Sequence, residues 1–186
     1  MILGILLVLV ALVFSLVGWF FVTYNSLISL KVRVDNAWSQ IDIQLKRRHD
    51  LIPNLVEAVK GYMSYEKETL ERVIKARSQA VDASGLKDKA QAENFLTQTL
   101  RSLFAVVERY PDLKANQNVL KLQEELTSTE NKISFARQYY NDEAARFNTL
   151  ILVVPTNVVA NSLGFTKKDF FELEDKSEKE APKVQF

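Results

Sequence analysis

The sequence predicts an all-α protein in which an N-terminal transmembrane helix continues into a bundle of long antiparallel helices, three long and one short. Three observations carry this. From Met1 to Val22 no side chain is charged and only Ser15 is polar. From residue 27 onward apolar residues recur in steps of three and four, the period of a helix with one buried face. No segment alternates with period two for long enough to build a sheet.

At 1.5 Å per residue the first segment makes roughly 33 Å of helix, enough to cross a hydrocarbon core of about 30 Å. It has no basic leading region, and Gly18-Trp19-Phe20 stands where signal cleavage needs small residues, so residues 1–23 read as an uncleaved anchor. Trp19, Phe20 and Tyr24 form an interfacial aromatic belt at one end. The first charges after the span are Lys31 and Arg33, and the positive-inside rule then places the remainder on the cytoplasmic side.

The body is expected over residues 24–171. Its first helix carries Leu27, Leu30, Val34, Trp38, Ile41, Leu45, Ile52, Leu55, Val59, Tyr62, Val73, Ala76 and Ala80 on one stripe. Pro53 falls inside it, removing a backbone donor and crowding the carbonyl of His49, which predicts a bend rather than a break. Asp82-Ala83-Ser84-Gly85 ends that helix, and Asp88 with Gln91 reads as a capping box for the second, whose stripe is Ala92, Phe95, Thr99, Leu103, Val106 and Tyr110. After Pro111 a third helix runs in phase from Val119 to Val154, passing through Thr127-Ser128-Thr129-Glu130. Pro155-Thr156-Asn157 opens a short fourth helix closed by Gly164. Residues 172–186 read as a polar, solvated tail. The second helix is about half the length of the first, so the third either overshoots or follows an extended connection over residues 110–116. An overshooting stripe would need a second subunit to cover it.

Composition excludes several classes. The 186 residues include no Cys and one His, which removes disulfide frameworks, thiolate zinc sites and HExxH centres. The carboxylates lack the Glu-x-x-His pairs of helix-bundle metal sites, so no metal and no cofactor is expected. A net charge of +1 provides no field for nucleic acid.

The sharpest charge cluster is Lys46-Arg47-Arg48-His49. Either it binds anions, such as lipid headgroups, or Lys46 and Arg47 are solvated while Arg48, which lies on the apolar stripe, pairs with a carboxylate in the core. The second reading is the better one, with Glu143, the polar interruption of the third stripe, as the first partner to test. Tyr110, Asp112 and Asn116 form either a recognition strip or a turn that satisfies helix ends.

The run from Trp38 to Val56, which includes Asp42, Arg47, Arg48, Asp50, Pro53 and Asn54, closely resembles the signature of the LemA family of bacterial membrane proteins. The resemblance extends to Tyr24-Asn25, Lys60-Gly61-Tyr62, Tyr110 to Asn116, Glu130-Asn131, Ala136-Arg137, Tyr140-Asn141 and Phe147-Asn148. It implies a single N-terminal anchor and a bundle of long helices, and it brings no biochemical activity. The expected function is a non-enzymatic, membrane-anchored interaction or scaffold protein. It would self-associate as a homo-oligomer or bind a membrane-protein partner. The alternative is a membrane-shaping protein that binds anionic lipid.

Overall fold

The computed structural model describes residues 1–63 and 65–171. Among them are six helices and no strand: α1 (Ile2–Lys60), α2 (Lys67–Asp82), α3 (Leu86–Val107), α4 (Pro111–Lys114), α5 (Gln117–Leu152) and α6 (Thr156–Ser162). The all-α class is as expected. The predicted tail over residues 172–186 lies outside the described residues.

The chain divides into two compact units, one formed by residues 1–39 with 138–169 and the other by residues 40–137 with the segment that begins at Phe170. In the first unit α1 is exposed on all sides up to Val22, then buries Thr23, Leu27, Val34 and Ala37. This change falls at the end of the run from Met1 to Val22 in which Ser15 alone is polar. The α5 residues Tyr140, Ala144, Phe147 and Ile151 are buried in the same unit, with Val159 and Ala160 of α6. Trp38 meets Tyr140 edge-on at 5.7 Å, and Phe147 meets Phe165 at 6.1 Å.

The second unit has its core where α1, α2, α3, α4 and α5 contribute Ile52, Leu55, Val59, Met63, Leu70, Val73, Ala76, Ala80, Leu96, Leu103, Leu113, Val119 and Leu126. Small residues at 76 and 80 let α2 lie close to α3, its principal neighbour.

Several expected boundaries differ. The first helix does not reach Ala80: α1 stops at Lys60, beside Gly61, with the Tyr62 and Met63 amides bonding back to Val59. Met63 is fully buried there, so the stripe resumes in α2 after a corner and periodicity alone could not reveal the break. Pro53 leaves α1 continuous. The capping box at Asp88 is absent, since α3 starts at Leu86 after Gly85, whose φ of +86° suits glycine, and no side chain caps it. The α3 stripe is shifted too: Ala90, Glu93, Leu96, Leu100, Leu103 and Val107 are buried while Phe95 is 45% exposed. A glutamate in the buried phase disguised the true face. Residues 110–116 are not extended but contain the one-turn α4, with Leu113 buried. Finally, the overshoot of α5 leaves no bare stripe, because residues 138–152 pack within the first unit; the sequence argument for a covering subunit therefore lapses.

Candidate functional site

The second unit holds a buried ionic cluster centred on Arg48. Helix α1 places Arg48 among core residues, since Leu45 and Ile52 lie on the same face at three- and four-residue spacing. Its guanidinium is inaccessible, and a charge in that position is tolerated only when paired. Nη2 donates to Glu93 of α3, whose side chain is equally inaccessible, and Nη1 donates to Glu130 of α5. Nη1 also reaches the Thr97 hydroxyl at 2.8 Å, and that hydroxyl donates to the second oxygen of Glu130 at 3.1 Å. One arginine thus ties three helices together, using the fork geometry that lysine lacks.

The next residue extends the cluster. His49 Nε2 stands 2.9 Å from Glu93 Oε1, an ion pair whenever the imidazole is protonated. Burial opposes ionisation of Glu93, but the adjacent His49 and the charge of Arg48 outweigh it and hold the carboxyl below its ordinary value of 4.5. On α5, Arg137 Nη1 donates to Asn94 at 3.2 Å, and its guanidinium lies 4.4 Å from the Phe171 ring centre. Burial, then the like charge of Arg48, lowers Arg137 to about 10, which leaves it protonated at neutral pH.

Pro53 explains a further contact. Its nitrogen carries no hydrogen, so the carbonyl four residues back, at His49, has no donor within α1. Arg77 of α2 supplies one: its Nε bonds the His49 oxygen at 2.7 Å. The proline therefore creates an acceptor that fastens α2 to α1.

The sequence-predicted residues fall in different places. Arg47 pairs with Glu125 at 2.7 Å in a half-exposed contact, and the Arg47 hydrogen bond, then its charge, lowers the Glu125 carboxyl. Asp42 accepts from Lys89 at 2.6 Å. Lys46, Asp50, Pro53 and Asn54 are exposed. Asn116 caps α5, its side-chain oxygen accepting from the Asn118 and Val119 amides at 3.0 and 3.3 Å, while Asp112 is exposed and Tyr110 half-buried. These contacts fit the helix-end reading of residues 110–116.

Glu143 is not the partner of Arg48. It lies in the first unit, buried, and accepts from Arg146 one turn on at 3.1 Å. In that unit Trp38 packs on Tyr140, whose hydroxyl donates to the Asp169 carbonyl at 2.9 Å. Burial, then the charges of Asp169 and Asp35, raises the Tyr140 phenol.

Sequence reasoning missed Glu93, Thr97 and Arg77, and it named Glu130 and Arg137 without a role in the cluster. Glu93 was detectable in principle, sitting three residues before Leu96 and seven before Leu100 on one helical face. Among the described residues no group of three His, Asp or Glu side chains is arranged to hold a metal ion.

The family model that matches this chain, covering residues 37–186, is that of the LemA family. The chain belongs to the LemA family. Protein LemA of Metamycoplasma hominis is 29% identical over 161 residues, covering 84% of this chain and 74% of that protein. Magnetosome proteins MamQ 1 and MamQ 2 of Paramagnetospirillum magneticum are each 22% identical over 175 residues, covering 80% of this chain. The chain spans 64% of the length of those two MamQ relatives. The Arg48 cluster lies wholly within the matched region, so this LemA-family chain carries its ionic centre inside the segment that defines the family.

Proposed function

We propose that this LemA-family protein is a single-pass, membrane-anchored scaffold that presents a helical body to another copy of itself or to a membrane-protein partner. One observation carries the reading: α1 is unbroken from an exposed, charge-free apolar segment into the buried residues that begin at Thr23. No loop separates anchor from body. The charged centre supports a structural role, because both arginines of the basic run are occupied: Arg48 by two carboxylates, Arg47 by Glu125. In the second unit, Phe104, Leu120 and Phe135 line a shallow groove between α3 and α5, with Phe135 72% exposed. It is the surface on which a partner is expected. Lys31 and Arg33 favour the cytoplasmic side for the body.

The test is a photo-crosslinker at Phe135 in intact membranes. A discrete adduct, either a dimer or a heteromer, is expected. Monomer alone, with no second protein recovered, overturns the scaffold reading. Independently, Ser39→Cys supplies a single exposed thiol, outside that groove, for an impermeant maleimide. Labelling only after the cells are opened is the expected result, and labelling of intact cells overturns the cytoplasmic assignment.

A further inference from the structure

The first unit exposes an apolar surface that the anchor does not account for. Between the end of α5 and the close of α6, Leu152 is 55% exposed, Val153 44%, Val154 79%, Val158 64% and Leu163 44%. No charged side chain occurs from Phe147 to Thr166; Arg146 and Lys167 flank this stretch as Lys31 ends the charge-free start of α1.

The contacts within the unit set the level of this surface relative to α1. Trp38 touches Tyr140, while Asp35, earlier on α1, takes the Lys168 ammonium at 2.9 Å. Lys168 is in turn fixed to Asn148, later on α5, by two bonds of 2.8 Å. Moving back along α1 therefore corresponds to moving forward along α5, and the two run antiparallel. Equal rises from the Trp38–Tyr140 contact bring Leu152 level with Ser26. That lies about 6 Å along the helix from Val22, inside the interfacial layer of roughly 5–8 Å that flanks a bilayer's hydrocarbon core.

We propose that the turn formed by Leu152 to Leu163 is a second membrane contact, its exposed apolar side chains seated in the interfacial layer of the bilayer that the anchor crosses. The inference rests on the anchoring of residues 1–23. Lipid is the favoured occupant because charge stops at one level on both limbs of the unit, about 10 Å along α1 beyond Tyr24 of the aromatic belt, and everything from there toward the anchor is uncharged; a protein partner would require no such alignment. The contact is made with the acyl–glycerol boundary and not with anionic headgroups. The stretch has no Lys or Arg, while the exposed Asn161 supplies a neutral group for the ester level. Two contacts with one membrane hold the unit against tilting, which a lone helix does not.

The experiment uses the full chain in vesicles of zwitterionic lipid. The protein has no cysteine, so Val158→Cys, Phe14→Cys and Ser39→Cys, the last exposed on α1 of the same unit about 25 Å beyond Val22, each give one site for an environment-sensitive fluorophore. Lipids brominated near the carbonyl end of the chain should quench the label at 158 at least twofold more than the label at 39, with no change on adding anionic lipid or salt. A label at 158 that is quenched by aqueous iodide instead, while the label at 14 is quenched by brominated lipid, overturns this proposal and leaves the anchor standing. A label at 158 shielded from both quenchers assigns the surface to a second copy or another protein and also overturns it. Failure of brominated lipid to reach the label at 14 overturns the anchor itself.

Discussion

At the scale of single residues, Arg48 and Arg47 are neighbours in sequence with opposite energetic weight. Arg48→Ala strands Glu93 in the core without its guanidinium, a loss of about 3–5 kcal/mol for breaking a buried pair. Arg47→Ala removes a half-exposed, solvent-screened contact, and its cost should be small beside that of Arg48→Ala. Chemical denaturation of the two variants measures the difference, and equal midpoints would contradict the cluster as described. Acid should act through Glu93. Its carboxyl ionises more readily in the folded protein than in the unfolded chain, so its contribution is present above about pH 4.5 and is lost as pH falls through the lower folded value. Glu93→Gln should flatten that acid limb in a stability–pH series while lowering stability at neutral pH. The burial of Arg48 was legible in the sequence, because a helical stripe with one arginine in phase demands a carboxylate. Which carboxylate was not legible, because it depends on the relative level of helices far apart in the chain.

At the scale of elements, long-period patterning located the helices well and their ends poorly. The single helix through Thr127–Glu130 and the short helix closed by Gly164, at φ +71°, could both be read from phase and from glycine. The corner between α1 and α2 could not, because Met63 keeps a side chain in the core where the backbone turns away. The link between Arg77 and the His49 carbonyl offers a sharp test of how that corner is held. Arg77→Ala leaves a partly buried acceptor unmet, which costs about 1–3 kcal/mol. In a Pro53→Ala background the restored amide at 53 satisfies the same carbonyl, and the Arg77→Ala penalty should fall by at least about 1 kcal/mol. Additive losses in that double-mutant cycle would rule out the proposed compensation. Crowding gives another check: Ala76→Leu forces bulk between α2 and α3 and should cost about 1–3 kcal/mol in thermal or denaturant unfolding.

At the scale of the whole molecule, the exposed apolar segment and the packed residues that follow it share one helix, and a helix transmits rotation as well as position. Each residue added to it turns everything beyond by about 100°. One alanine inserted between Asn25 and Ser26 would swing the anchor about a quarter-turn relative to the buried face that begins at Leu27, whereas an insertion of seven residues, about two turns, would nearly restore the azimuth at the cost of about 10 Å of lift. The exposed apolar face before Thr23 and the buried face after it are thus set against each other by helical phase, in the manner of a camshaft whose lobes are set at fixed angles.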